Sequence, residues 1–229
     1  MVVIGLTGGI ACGKSAVAAM LAERGVAIVD ADQGAREVVA PGSDGLSEVV
    51  AAFGEGVLSP DGSLDRKRLG ERVFGDEEAR KKLNAILHPR IAQWSAERFM
   101  ALAAEGRPFA VYEAALLVEN GAHRAMGGLI VVTARPEVQR ARLMARDGID
   151  AAAAQARIDA QWPLEKKVAV ATEVIDNSGD REALRAQVWG SIRGWSRPTG
   201  HKRRRPGCAV VLAFGADLES ARKIHGWRD

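Results

Sequence analysis

The chain has 229 residues, 47% of them hydrophobic and 27% charged, with a formal net charge of +3. That length can bury a sizeable core, the composition is that of a soluble enzyme, and no apolar run approaches the roughly 20 residues needed to cross a bilayer. Its two cysteines, Cys12 and Cys208, have no metal-ligand spacing and do not make a disulfide scaffold. No secretory pattern is visible at the N-terminus, so a cytoplasmic location is expected. The positive charge is local. Residues 198–229 hold seven Lys/Arg against three acids, a surplus of four, so a chain of net +3 leaves its first 197 residues at −1. A body of that charge does not suit a nucleic-acid-dependent ATPase.

The chain begins with an apolar run, Val2 to Leu6, then Gly8-Gly9-Ile10-Ala11-Cys12-Gly13-Lys14-Ser15, then an alanine-rich helical pattern over 16–24. Strand, G-x-x-x-x-G-K-S and helix in that order are a phosphate-binding loop in its proper context. Glycines let the backbone curl so that successive N–H groups face an anion at a helix N-terminus. Gly9, Ile10, Ala11, Cys12, Gly13, Lys14, Ser15 and Ala16 are therefore the candidate nucleotide contacts. Lys14 supplies a mobile charge for the terminal phosphates, and the Ser15 hydroxyl is placed for Mg²⁺.

A second strand over 25–29 ends in Asp30-Ala31-Asp32, expected one strand from the loop. A carboxylate there suits a general base, and Asp32 also suits the N-cap of a helix over 33–40. Residues 34–106 carry helical patterns at 44–53, 65–74, 76–87 and 89–105 and no strand signal, so they read as a helical insertion. Arg66 lies in a charge-rich turn of it, and His88-Pro89 marks a break between its last two helices. Phe109 to Tyr112 is a third strand with Glu113 at its end, a weak Walker B position. Leu129 to Val132 is the fourth. Gln139, Arg142 and Arg146 then share one face of a helix, a row suited to phosphate oxygens or to pairing with Asp147. A second helix over 151–161 completes a hairpin able to close as a lid. A fifth strand over 173–176 precedes Asn177, which can meet a nucleotide base or serve as a turn residue. A closing helix over 181–195 follows, and then the basic tail over 198–229, expected to be poorly ordered.

Taken together, Gly5 to Ile10 before the phosphate loop, Val29 to Asp32 with Ala35-Arg36, Phe53-Gly54, Gly62 to Arg66, Val73-Phe74, Leu87-His88-Pro89, Leu116 to Asn120, Gln139 with Arg142, Arg146 and Asp147, Gln161, and Val174 to Asn177 resemble the dephospho-CoA kinase family over about residues 3–190. The resemblance implies a three-layer α/β P-loop fold with a mostly parallel five-stranded sheet. The nucleotide core would be 1–33, 107–136 and 170–197, the CoA-gripping insertion 34–106 and the lid 137–169. It implies ATP and Mg²⁺ as cofactors and transfer of the γ-phosphate to the ribose 3′-hydroxyl of dephospho-CoA. In that family pattern Asp32 is the general base, Lys14 and Ser15 hold ATP and metal, and Arg142 and Arg146 are lid arginines. Asn177 lies in the base segment, and Arg66, His88 and Leu116 fall in motifs on the acceptor side. A monomer or weak homo-oligomer, with no nucleic-acid or membrane partner, completes the expectation.

Three positions depart from the family pattern. Ala115 stands where proline usually precedes Leu-Leu, Ala171-Thr172 replaces an Ala-Asp pair, and Ala11-Cys12 replaces a Gly-Ser pair, which makes the loop oxidisable. Another nucleoside or nucleotide kinase would share the loop, lid and arginines. A regulatory GTPase would need an Asn-Lys-x-Asp motif, which the sequence lacks. A pure binding module leaves base, metal ligand and lid arginines without a task.

Overall fold

The computed structural model describes residues 1–193. The expectation for the basic tail, and the last two residues of the closing helix, lie outside the described residues. Strand β1 (Val2–Gly8) is buried from its second residue onward. It is flanked by β3 (Phe109–Glu113) and β4 (Gly128–Thr133), with β2 (Ala27–Asp30) outside β3 and β5 (Glu173–Asp176) outside β4. All four pairings are parallel. These strands read as near-continuous apolar runs because both faces of a parallel sheet are covered.

Alternation along the strands assigns the faces. Ile4, Leu6, Val111, Ile130 and Val132 face α1 (Lys14–Ala22) and α9 (Arg181–Arg193), meeting Val17, Leu21, Leu184 and Val188. Val3, Ala110, Tyr112, Leu129 and Val131 face the other way, toward Phe99 and Trp94 of α5 (Glu77–Ala104). Replacing one of the fully buried leucines, such as Leu6, with alanine would cost about 3 kcal/mol.

Between β2 and β3 run α2 (Ala31–Glu37), α3 (Asp44–Phe53), α4 (Arg66–Val73) and α5. Each starts at an acid or serine, Asp30, Ser43, Asp65 and Asp76, whose side chain accepts from a first-turn N–H. Asp32 therefore does not cap α2. Asp30 does, and Asp32 sits in the first turn, its carboxylate without a hydrogen bond or ion pair among the described residues. A second difference is the helix break expected at His88-Pro89, where α5 runs through without interruption. Proline in a helix costs about 3 kcal/mol. Here Leu83, Ile86 and Leu87 pack with Val39, Val49 and Leu69 while Trp94, Phe99 and Leu102 pack under the sheet. Burial at both ends holds the helix across Pro89, and Arg90 Nη1 donates to the Ile86 carbonyl at 2.7 Å. The third difference concerns strand order, since β3 lies between β1 and β2 and brings Glu113 into register with Asp30.

Between β4 and β5 run α6 (Pro136–Asp147), α7 (Ala151–Asp159) and the short α8 (Leu164–Val168). Gly148, at φ 65°, turns α6 out toward α7, and Asp150 caps α7.

Candidate active site at the phosphate loop

The loop leaves β1 at Gly8 and enters α1 at Lys14. Two of its residues take positive φ, Ala11 at 57° and Gly13 at 88°. At Gly13 a side chain is excluded twice, because a Cβ there would sit 2.0 Å from the Asn177 amide nitrogen. The outward-facing loop atoms are held by side chains from elsewhere. The Ile10 N–H donates to Gln161 Oε1 at 2.8 Å, and the Ile10 carbonyl accepts from Gln139 Nε2 at 2.6 Å. The Cys12 carbonyl accepts from Asn177 Nδ2 at 2.8 Å. Asn177 is thus buried against the loop backbone, so the amide expected to read a nucleotide base is already engaged. Cys12 is fully buried, and that burial pushes its thiol pKa up. Burial of this kind disfavours the thiolate, the reactive form, and so works against the oxidation expected of the loop.

At the loop mouth Lys14 Nζ lies 2.6 Å from Glu113 Oε1, and the Ser15 hydroxyl donates to the same oxygen at 3.1 Å. Glu113 is 5% exposed at the end of β3, and the strand order brings it there. A hydroxyl and a carboxylate are hard oxygen donors. Among the described residues no group of three or more His, Cys, Asp or Glu could hold a metal by itself. Few protein donors, with the remaining positions left to phosphates and water, is the pattern that suits Mg²⁺.

Beneath the loop sits a cation the sequence reading missed. Lys167 of α8 is fully buried, its Nζ donating to the Ala115 carbonyl at 2.9 Å and reaching the Gly8 carbonyl at 3.4 Å. Its charge is met by Glu119 Oε1 at 2.7 Å. The Thr7 hydroxyl donates to the same Ala115 carbonyl, which ties the first strand to the segment holding Leu116. Neighbouring Lys166 is exposed, and nothing in the sequence distinguishes the two.

The two arginines expected in a lid separate. Arg142 is half-buried, and among the described residues its Nη1 is enclosed without a hydrogen-bond partner, 3.8 Å from where a Gly13 Cβ would be. Arg146 is exposed and paired with Asp147 at 2.7 Å, a carboxylate that Arg157 also reaches at 2.5 Å. The Arg146 guanidinium holds the Asp147 carboxyl below its usual range. An enclosed guanidinium without an acceptor leaves a desolvation cost that an anion would relieve.

The residues expected on the acceptor side are open to solvent. Asp32, Arg66 and His88 are exposed, and Leu116 is 56% exposed beside buried Leu117. Arg66 donates to the Ala35 carbonyl at 3.1 Å. Ala35 lies one turn after Asp32 on α2, so this bond ties the start of α4 to the helix that carries Asp32. His88 stands on α5 with enough surrounding protein to lower its imidazole pKa by desolvation. Among the described residues no hydrogen bond or ion pair links it to Asp32, Arg66 or Leu116.

A family model described as dephospho-CoA kinase matches residues 2–183. A dephospho-CoA kinase of Anaeromyxobacter dehalogenans is 47% identical over 214 residues, covering 92% of this chain and 99% of its own length. One from Geobacillus kaustophilus is 46% identical over 192 residues, 84% of this chain and 96% of its own. Among solved structures, the protein TT1252 of Thermus thermophilus superposes with a TM-score of 0.74 at 33% identity, over 86% of this chain and 98% of its own. A dephospho-CoA kinase from Campylobacter jejuni gives a TM-score of 0.60 at 28% identity, over 84% of this chain and 96% of its own.

Proposed function

This chain belongs to the dephospho-CoA kinase family, and we propose that it transfers the γ-phosphate of ATP to the ribose 3′-hydroxyl of dephospho-CoA, giving coenzyme A and ADP as the last step of coenzyme A synthesis. The observation that carries the chemistry is the meeting of Lys14, Ser15 and Glu113 at the mouth of the loop, with Arg142 Nη1 enclosed near Gly13 and without an acceptor among the described residues. Such a site gains most when a polyphosphate enters.

When the nucleotide binds, Lys14 exchanges its contact with Glu113 for phosphate oxygens, and Arg142 Nη1 finds the acceptor it lacks. Mg²⁺, with Ser15 and Glu113 as the residues to hold it, supplies further neutralisation of phosphate charge. Asp32 accepts the proton of the attacking hydroxyl. The new bond forms between the ribose oxygen and the γ-phosphorus, while the bond to the β,γ-bridging oxygen breaks and its electron pair leaves with ADP. Most of the rate comes from positioning and from charge placed in advance. Arg66, bonded to the Ala35 carbonyl of the helix that carries Asp32, orients the acceptor, with His88 and Leu116 as further contacts. The segment 34–106 grips the CoA portion, 137–169 closes as the lid, and 1–33, 107–136 and the described part of 170–197 form the nucleotide core. No helix among the described residues is long and apolar enough to cross a membrane, and we place the enzyme in the cytoplasm, as a monomer or weak homo-oligomer.

The test is ADP release from the purified protein with ATP and Mg²⁺, offering dephospho-CoA, adenosine and AMP in turn. Turnover confined to dephospho-CoA is the expected result. Turnover with adenosine or AMP instead would keep the loop chemistry and overturn the acceptor.

A further inference from the structure

Three side-chain amides surround the phosphate loop, and none of them has a part in the chemistry proposed above. Gln139 comes from α6, Gln161 from just beyond α7, and Asn177 from the end of β5. They bond to the Ile10 carbonyl, the Ile10 N–H and the Cys12 carbonyl. We infer that these amides, and the two lid glutamines above all, are positioning residues that set which way the loop's peptides point, so that the place of the lid and the shape of the loop are one variable.

The argument runs through peptide geometry. In a trans peptide the carbonyl and the following N–H point in opposite directions. Holding the Ile10 carbonyl outward therefore turns the Ala11 N–H inward, and holding the Cys12 carbonyl outward does the same for Gly13. Ala11 and Gly13 are the two loop residues with positive φ, as that alternation requires. Gln161 acts in the reverse sense on the preceding peptide, taking the Ile10 N–H away from the anion site. Gln139 is 7% exposed, and a Cβ on Gly9 would lie 2.9 Å from its Nε2, so Gly9 leaves the room in which that amide fits. Leu164 approaches the same place, 3.7 Å from that Cβ. The segment carrying the two glutamines thus docks on the loop backbone itself.

The two glutamines have opposite polarity toward Ile10, and that supplies a signature. Position 139 must donate, so Gln139→Glu places an acceptor against an acceptor and should be worse than the neutral Gln139→Met. Position 161 must accept, so Gln161→Glu keeps the bond and should be milder than Gln161→Met. The readout is hydrogen–deuterium exchange of residues 9–13 in the nucleotide-free full-length protein, where an added charge cannot act on ATP. Faster exchange in the order Glu above Met at 139, and Met above Glu at 161, is the expected result. In turnover assays both Met variants should raise KM for ATP about tenfold with KM for the acceptor within about twofold.

The same order of Met and Glu at both positions, or exchange that none of the variants changes, would overturn the inference, as would an unchanged KM for ATP. If a Met variant fails to fold, the two Glu variants alone decide, since only Gln139→Glu should loosen the loop strongly. The kinetic arm rests on the kinase reading. The exchange arm, joined to binding of a non-hydrolysable ATP analogue, needs no acceptor and stands if dephospho-CoA proves not to be the substrate.

Discussion

The proposed nucleotide end and the proposed acceptor end of the site are built differently. Around the phosphate loop, polar atoms are buried and joined: Lys14 to Glu113, Lys167 to Glu119 and the Ala115 carbonyl, Gln139 and Asn177 to loop carbonyls. On the acceptor side Asp32, Arg66, His88 and Leu116 stand in solvent on three helices and a loop. A triphosphate is nearly the same in every enzyme that uses it and rewards a preformed cradle. An acceptor with a long flexible tail is held by groups that order around it. Substitutions at the first end should therefore disturb ATP and the chemical step together. Those at the second should separate acceptor affinity from ATP affinity.

The largest effect should come where the two ends meet. Asp32→Asn removes the proton acceptor and should lower kcat about a thousandfold, with ATP binding by calorimetry within about twofold. A kcat near normal would take Asp32 out of that role. Lys14→Met should lower kcat/KM for ATP by about a hundredfold or more and weaken ATP binding, so it breaks the nucleotide end alone.

A sharper comparison lies within the lid. Arg142, enclosed without a partner, should cost about a hundredfold in kcat when changed to Met. Arg146, already paired with Asp147 at the surface, should cost only about two- to fivefold. Equal losses at the two positions would mean that lid closure brings Arg146 inward as well. On the acceptor side, Arg66→Ala should raise KM for dephospho-CoA about tenfold and leave KM for ATP unchanged.

The smallest effect concerns Cys12. Burial raises its thiol pKa, so folding favours the protonated form, and this group's contribution is present at low pH and lost as pH rises through the folded-state pKa. Alkylation of the Cys12 peptide, followed by mass spectrometry at pH 8, should be at least about tenfold slower in the native protein than in urea. Rapid native alkylation would show that the loop opens, and that the preformed cradle is less rigid than its hydrogen bonds imply.

Much of this was legible in the residues. The loop motif, the five strands and most helix starts follow from local rules, because glycines, caps and apolar runs act within a few residues of themselves. Glu113 was visible only as an acid at a strand end, a weak Walker B position, since its partners Lys14 and Ser15 come from the start of α1, about a hundred residues earlier. Lys167 was not visible at all. A lysine beside an exposed lysine carries no mark of burial until Gly8, Ala115 and Glu119 arrive around it. Asn177 read as a group for a base or as a turn residue, and its bond to the Cys12 carbonyl is a contact that only the end of β5 brings about.

By itself, then, the sequence determined the chemistry's inventory: an anion loop, a mobile lysine, a hydroxyl for metal, an acid at a strand end and arginines on a helix face. Those are properties of short segments, set by backbone conformation and side-chain spacing. Tertiary structure alone decided which acid faces which cation, which arginine stays unpaired and which amides hold the loop. Such choices depend on strand order and on which groups lose their water. The placement of β3 beside β1 and the continuous run of α5 past Pro89 were settled by burial shared among distant segments, which outweighs a local preference of a few kcal/mol.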